Sequence, residues 1–388
     1  MLARTLGSGP RRCSAAVLAL ICLCGALTSC GISASRPVGG SLSGVRAEAR
    51  DANSARPSSV SVPFRFFSPV SFWNAPLAAN APLDPTSAAV VAALNEKITA
   101  EEQAKTGPWI NTTEYSVPLY TVPANQPTTP VQLANKTRNP ALSRAWSAVP
   151  LPANAQPAAG TDGILTVWQP ATNRLWEFWR LVHEAGRWHA SWGGAMQHVS
   201  TNPGVYGPEA WPGAQTWWGV SASSLSLLGG LISLEDLKLG QINHALAMAI
   251  PGPRAGVYTT PAQRTDGKGT NPQAPPEGAH LRLNPNLNLI TLHLPPLTLM
   301  IAEAAQRYGI FVTDGAPIAE LYAQDPTPTG TNPYTDPGGY YENKYPSQLL
   351  ATFPWNQLQL LKMELHKTKP SHHRRRRRAR HHRRVSKR

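Results

Sequence analysis

Proline and glycine interrupt this sequence so often that a fold built on long helices is disfavoured. The 388 residues include 38 Pro and 30 Gly, and only 15% are charged. Proline cannot continue a helix interior or a central strand, so the regular segments between prolines must be short. Short segments with few charges, in a chain long enough to bury a large core, predict a loop-rich protein dominated by β structure.

The net charge of +14 is confined to the two ends of the chain. Residues 367–388 carry twelve Lys or Arg and residues 1–29 carry three, and neither segment has an acidic residue. Residues 30–366 hold the other 21 basic side chains and all 22 acidic ones. This balance argues against a nucleic-acid groove across the domain. We expect the Arg/His-rich tail, residues 367–388, to be disordered and to contact anionic envelope polymers or phospholipid headgroups.

The first 30 residues indicate export. Arg11 and Arg12 precede an apolar run from Ala15 to Leu27, which is too short to span a bilayer comfortably and typical of a signal peptide. The run ends Leu27-Thr28-Ser29-Cys30, which resembles the bacterial lipobox. We therefore expect residues 1–29 to be removed and Cys30 to carry lipid on the outer face of a bacterial membrane. The alternative is an ordinary signal peptide that leaves a secreted protein.

Residues 30–60 are rich in Gly, Ser, Ala, Arg and Pro and predict a flexible tether. Residues 61–366 then form a single globular β-rich domain. Helical periodicity predicts helices over Thr86–Ala104 and Pro295–Tyr308, the latter ended by Gly309.

Alternating apolar residues between turn residues predict the strands. Ile164–Trp168, Leu175–Val182 and Arg187–Trp192 are expected to form an antiparallel meander, followed by a polar loop over Trp192–Gly204. Ile310–Thr313 and Ile318–Ala323 are expected to form a hairpin. The predicted fold class is a mostly antiparallel β-sandwich or jelly roll with a few peripheral α-helices.

Tryptophan is concentrated in one stretch, with eight of the twelve between Trp168 and Trp218. Buried indoles need a partner for their N–H, and exposed indole faces on a sheet stack on sugar rings. Core packing is the alternative for any single tryptophan. We expect two or three to line a cleft, and we select Trp168, Trp179 and Trp192.

Charged residues supply the first candidates for chemistry. Glu177 alternates with aromatic residues on a predicted strand, where burial would raise its pKa and keep it protonated as a general acid. The alternative is a structural pair with an arginine such as Arg180. Asp162 is the expected partner carboxylate, with Asp266 as a competitor, and Arg264 would bind a carboxylate or sugar hydroxyls.

Polar residues around the predicted polar loop supply the remaining candidates. His198 and His244 are candidates for proton transfer, and Asn202 and Tyr206 for binding hydroxyls. For His244, on an apolar face, a buried structural histidine is the alternative. A polysaccharide lyase would instead use His198 or Tyr206 as the base and Arg264 against a uronate.

Several segments resemble a group of secreted proteins from high-GC actinobacteria across roughly residues 66–363. The resemblance rests on Ser71-Phe72-Trp73-Asn74, Gly160-Thr161-Asp162-Gly163, Trp176-Glu177-Phe178-Trp179, Ile242-Asn243-His244-Ala245-Leu246 and Ala304-Ala305-Gln306-Arg307-Tyr308-Gly309-Ile310. It implies an extracellular globular domain and brings no activity or site with it. The tryptophan-rich sheet is similar to glycanase and lectin sandwiches in architecture only.

These features predict a lipid-anchored, carbohydrate-active protein that cleaves a glycosidic bond in a polysaccharide or cell-wall glycan. Glycoside hydrolysis is the first expectation and a lyase the second. The alternatives are a non-catalytic glycan- or envelope-binding lipoprotein and a structural envelope protein. No Gly-x-Ser-x-Gly, His-Glu-x-x-His or cysteine cluster occurs, which disfavours serine hydrolases and zinc proteases. We expect no cofactor, no metal ligands and no nucleic-acid partner, and a structural calcium ion stays open.

Overall fold

The computed structural model describes residues 65–134 and 139–368, all of which belong to one compact unit. The predicted signal peptide, Cys30, the tether and the tail beyond residue 368 lie outside the described residues. Within the described stretches, no helix is long and apolar enough to cross a membrane.

The described residues are mostly β, with short helices between the strands. The strands are β1 Trp109–Asn111, β2 Val117–Thr121, β3 Val131–Leu133, β4 Leu165–Gln169, β5 Arg174–Trp179, β6 Val182–Glu184, β7 Arg187–Ala190, β8 Trp192–Gln197, β9 Leu246–Pro251, β10 Val257–Thr259, β11 His280–Leu283, β12 Ile310–Ala316, β13 Glu320–Tyr322, β14 Gln324–Asp325, β15 Leu358–Leu360 and β16 Leu365–Lys367. The α-helices are α1 Ser87–Ala104, α2 Pro140–Ala145, α3 Leu234–Leu239, α4 Pro296–Arg307 and α5 Pro346–Leu350. Short 3₁₀ turns cover Pro170–Thr172, Val199–Thr201, Leu227–Gly230, Leu289–Leu292, Thr327–Thr329 and Trp355–Gln357.

The larger sheet has six strands in the order β1-β13-β9-β12-β11-β15. Its strand β9 is buried on both faces, which explains its nearly continuous apolar sequence. Leu246, Met248 and Ile250 belong to the core that α1 and α4 cover. Ala247 and Ala249 point the other way, into the core shared with the second sheet. Small residues on this second face allow other backbone segments to approach closely.

The second sheet has five strands in the order β14-β2-β4-β5-β8. Smaller sheets are formed by β3, β7 and β6, and by β10 and β16. Both large sheets are mixed, since β9 pairs with β12 in parallel and with β13 antiparallel, and β2 pairs with β4 in parallel. The prediction of a mostly β protein is confirmed, whereas the structure does not establish an antiparallel sandwich or jelly roll.

Several predicted elements are confirmed. Helices α1 and α4 lie where periodicity placed them. Strands β4 and β5 pair antiparallel as expected, because a short turn joins them.

Two predicted pairings are wrong. The neighbour of β5 is β8, which forms within the segment expected to be a polar loop, whereas β7 pairs with β6 and β3. Strands β12 and β13 do not form a hairpin, because β9 lies between them.

Trp73 shows how tightly the shared core is packed. Its side chain is fully buried, and the glycines Gly229 and Gly230 lie against its indole ring. A Cβ on Gly230 would lie 2.7 Å from the backbone carbonyl carbon of Leu246 as well as 2.7 Å from the Trp73 ring. Only a residue without a side chain fits between the 3₁₀ turn Leu227–Gly230 and β9.

We predict that Gly230→Ala lowers the free energy of unfolding by roughly 2 kcal/mol or more, because rigid backbone has to move. Urea denaturation measures the loss. Gly207→Ala is the matched control, since a Cβ there meets nothing within 4 Å. Equal stability of the two variants would contradict the packing described here.

Candidate functional site

Two carboxylates flank a small residue on the larger sheet. Asp314 of β12 and Glu320 of β13 both have Ala249 of β9 as their register partner. Paired residues on neighbouring strands point to the same face, and two strand spacings separate their Cα atoms by roughly 10 Å. Ala249 is itself buried, and the acidic side chains on either side of it are half-buried.

Backbone groups hold Asp314 in place. A register shift between Val312 and Asp314 re-aims the end of β12. Asp314 Oδ2 accepts from the Ala222 N–H at 2.9 Å, and Oδ1 accepts from the Gly315 N–H at 2.8 Å. Glu320 receives a hydrogen bond from the side chain of Asn111 on β1.

Burial, together with nearby negative charges, raises the pKa values of both groups. For Asp314, burial raises the pKa to about 7, against the backbone hydrogen bonds and with help from the Asp266 and Asp162 charges. For Glu320, burial raises the pKa to about 7, assisted by the charges of Asp314 and Asp162. Carboxyl groups with such pKa values are half-protonated near neutral pH, as proton transfer requires.

Two further carboxylates come from the segment between β10 and β11. Oxygens of Asp266, Glu277 and Asp314 all lie within 4.8 Å of one another. Burial, followed by the nearby Asp314 charge, raises the pKa of Glu277 to about 8. We call Asp162, Asp266, Glu277, Asp314 and Glu320 the carboxylate cluster. Among the residues described, Asp266, Glu277 and Asp314 are the group that could hold a metal ion.

The second sheet contributes Asp162 and two tryptophans to this region. The loop bearing Asp162 is fixed to the end of β5, because Arg180 N–H donates to the Asp162 carbonyl at 2.6 Å. Asp162 Oδ1 accepts from Trp179 Nε1 at 3.0 Å. Trp192 is the register partner of Trp179, so the two half-buried indoles stand side by side. The structure thus brings together the predicted residues Asp162, Trp179 and Trp192.

Arg264 joins the same region through residues 219–226, which we call the serine loop. Its Nε donates to Ser224 Oγ at 2.7 Å and its Nη2 to the Ser221 carbonyl at 2.7 Å. Burial lowers the pKa of Arg264, whereas Asp314, Glu277 and Asp266 raise it in part. Arg264 therefore lies near the carboxylate cluster, which agrees with its prediction as a binding residue. Its hydrogen bonds, however, are made to the serine loop.

Glu177 lies beneath the serine loop and not in a cleft. It is fully buried, accepts from the Tyr206 hydroxyl and from Ser226 Oγ, and sits in the core between the sheets. Burial raises its pKa to about 7, as expected. The predicted access to substrate is corrected, because neither Glu177 nor the 1% exposed Tyr206 reaches the surface.

His198 and Asn202 lie at the other end of β8. Strand β8 begins at Trp192 and ends before the exposed His198, a distance of about 20 Å along the strand. Asn202 Oδ1 accepts from the N–H groups of Gly204 and Val205, which makes it a turn-stabilising residue. The structure does not place these two residues with the carboxylate cluster, and the lyase combination of His198, Tyr206 and Arg264 is not assembled.

Trp168 and His244 line a separate cavity of about 470 Å³ near the start of β9. His244 lies two residues before β9, and its Nε2 lies 3.1 Å from Asp236 Oδ2. Asp236 also accepts from Ser233 Oγ and caps α3. His244 is therefore a buried, paired histidine, which is the structural alternative.

Sequence reasoning missed Glu277, Asp314 and Glu320. Each is an acidic residue at the edge of an apolar or proline-rich segment, as in Pro275-Pro276-Glu277-Gly278 and Ile310-Phe311-Val312-Thr313-Asp314. That signal marks strand ends, where functional side chains collect, but only the strand order shows that these three meet.

Comparison with known proteins adds no relative: no family model, no curated protein and no solved structure matches this chain.

The His244–Asp236 pair gives a pH-dependent stability prediction. Burial opposes a charge on His244, but the nearby Asp236 carboxylate has the larger combined effect and raises the His244 pKa. Burial also opposes a charge on Asp236, but His244 and the hydrogen bonds from Ser233 lower the Asp236 pKa. The histidine contribution is complete below its ordinary pKa of 6.5 and is lost as the pH rises through the raised value.

We predict that Asp236→Asn loses about 3 kcal/mol of unfolding free energy at about pH 6, because it leaves a buried charge unpaired, and less at about pH 9. Denaturation at both pH values measures this. Glu235→Gln, a neighbouring exposed carboxylate, is the control. A loss that does not change with pH would show that His244 is uncharged.

Proposed function

We propose that this protein is a carbohydrate-active enzyme that hydrolyses a glycosidic bond in a polysaccharide at the carboxylate cluster. The observation that carries the proposal is Glu320, a half-buried carboxyl with a pKa of about 7 that the Asp314 and Asp162 charges help to raise. Two carboxyl groups in different environments are what glycoside hydrolysis needs.

In this proposal, Glu320 is the general acid. Near neutral pH much of it is protonated, so it can donate a proton to the leaving glycosidic oxygen. Asn111 holds its side chain through a hydrogen bond from the neighbouring strand. The half-buried position lowers the local dielectric, which strengthens its interaction with a developing charge.

Asp162 is the partner carboxylate. The Trp179 indole N–H binds one of its oxygens and orients it, and this leaves the other oxygen for a water molecule or the sugar. Asp162 lies in the loop before β4 of the second sheet, whereas Glu320 lies on β13 of the larger sheet. Their separation would decide between a water-activating base in an inverting enzyme and a nucleophile in a retaining one.

Trp179 and Trp192 supply the sugar-binding surface. Their register pairing sets two half-buried indoles beside the acid pair, where flat apolar rings would stack on pyranose faces. Arg180 Cζ lies 4.3 Å from the Trp179 ring centroid and would stiffen this platform. As part of the same proposal, the two large sheets, which share one core, are arranged as a β-sandwich or jelly roll.

The proposed place of action is the outer face of the bacterial membrane. It rests on the lipobox-like Leu27-Thr28-Ser29-Cys30 and on the twelve basic residues of the tail. A diacylated Cys30 would anchor the domain beside cell-wall glycan, and the tail would bind anionic envelope polymers in a salt-dependent way. Nucleic acid is not a proposed partner.

We predict that Glu320→Gln abolishes cleavage of a polysaccharide panel that includes cell-wall arabinan and galactan, because the amide cannot donate the proton. New reducing ends report hydrolysis, and ultraviolet absorbance reports unsaturated uronates from a lyase. Glu184→Gln, an exposed carboxylate on β6, is the matched control. If the wild type and both variants bind glycan but none of them forms product, the protein is a glycan-binding protein and not an enzyme.

We predict a kcat/KM that falls as the pH rises through about 7, because Glu320 then loses the proton that it donates. Initial rates on the best polysaccharide, measured on both sides of this pH, report the fall. An alkaline optimum would remove Glu320 from the role of the acid.

A further inference from the structure

Glu277 has a buried oxygen without a partner. Its side chain is fully buried, and its Oε1 has no hydrogen-bond partner among the described residues. The other oxygen, Oε2, accepts from the Asp266 N–H at 3.3 Å, and the Thr265 side chain also hydrogen-bonds this carboxylate. A buried carboxylate oxygen without a hydrogen bond lowers the stability of the fold, so its lack of a partner requires an explanation.

The backbone fixes Glu277 where it is. Its carbonyl accepts from the Thr259 N–H at 2.9 Å, and the next N–H, of Gly278, donates to the Val312 carbonyl at 2.7 Å. Gly278 has a φ of +87°, and a side chain there would overlap the Thr259 carbonyl oxygen. The backbone that carries this buried carboxylate is thus held by the strands β10 and β12.

The negative charges around the Glu277 carboxylate are not balanced by neighbouring positive charges. Asp266, Glu277 and Asp314 converge within 4.8 Å, but no Lys or Arg nitrogen lies within 4.0 Å of them in the described part of the chain. Arg264 is the nearby cation, and its hydrogen bonds go to the serine loop. When all three carboxyls are ionised, they carry three negative charges against the single positive charge of Arg264, and a divalent cation would balance the difference.

We infer that Asp266, Glu277 and Asp314 form a binding site for a divalent cation, with calcium preferred. Calcium takes oxygen ligands at 2.3–2.6 Å, so ligand oxygens up to about 5 Å apart can share one ion. Magnesium, with ligands at about 2.1 Å, needs a tighter group. Asp266 is exposed, which leaves an entry path and open positions for water or a ligand. The inference stands on these residues and does not depend on the proposed hydrolysis.

The competing explanation is a proton shared among the carboxyls. Carboxyls that cannot all ionise hold a proton and need no metal. Calcium titration of the EDTA-treated full-length protein by calorimetry separates the two. We expect one saturable site for CaCl₂, with MgCl₂ binding at least tenfold more weakly.

Variants locate the site. Glu277→Gln keeps the shape and removes the charge, and we expect at least a tenfold loss of calcium affinity. Because Glu277 is buried, Asp266→Asn on the exposed loop serves as a second variant that should fold normally and lose affinity likewise. Glu209→Gln, an exposed carboxylate elsewhere, is the control and should bind as the wild type does.

No saturable calcium binding by the wild type would overturn the inference in favour of the shared proton. Wild-type affinity in both Glu277→Gln and Asp266→Asn would place any calcium elsewhere and overturn it too. Magnesium binding as tight as calcium would overturn the preference for calcium.

Discussion

The alternation of side-chain size along β9 is the constraint on which both cores and the candidate site depend. Large residues, Leu246, Met248 and Ile250, face the helices and fill one core. Alanines face the second sheet, so Gly230 and Trp73 can pack directly on the strand. The same alternation puts Ala249 between Asp314 and Glu320.

Concentrating carboxylates at one end of this sheet opposes folding, because burial and like-charge repulsion both disfavour it. The fold compensates with fixed dipoles: two backbone N–H groups bind Asp314, and the Trp179 indole binds Asp162. Arg264 adds one positive charge while it stabilises the serine loop. A core without these acids would be more stable, and proteins depart from the stability optimum in this manner mainly at functional sites.

Local sequence signals predicted local structure well and long-range pairing poorly. Helices α1 and α4 follow from periodicity and proline or glycine at their ends, and the β4–β5 hairpin follows from its turn. The position of β9 between β12 and β13 could not be predicted, since about sixty residues separate β9 from those strands in the chain. For the site, Asp162, Trp179, Trp192 and Arg264 were predicted from residue type. Glu277, Asp314 and Glu320 were missed because only the sheet order brings them together.

Glu177 and Glu320 show why a raised pKa does not by itself identify a catalytic acid. Burial raises both pKa values to about 7. Glu177, however, is fully buried, and its two oxygens accept hydrogen bonds from Tyr206 and Ser226. A proton on Glu177 therefore stays in the core and cannot reach a substrate. Glu320 is half-buried and shares its face of the sheet with Asp314. Desolvation gives a carboxyl its proton, but only a position at the edge of the core lets that proton reach a substrate.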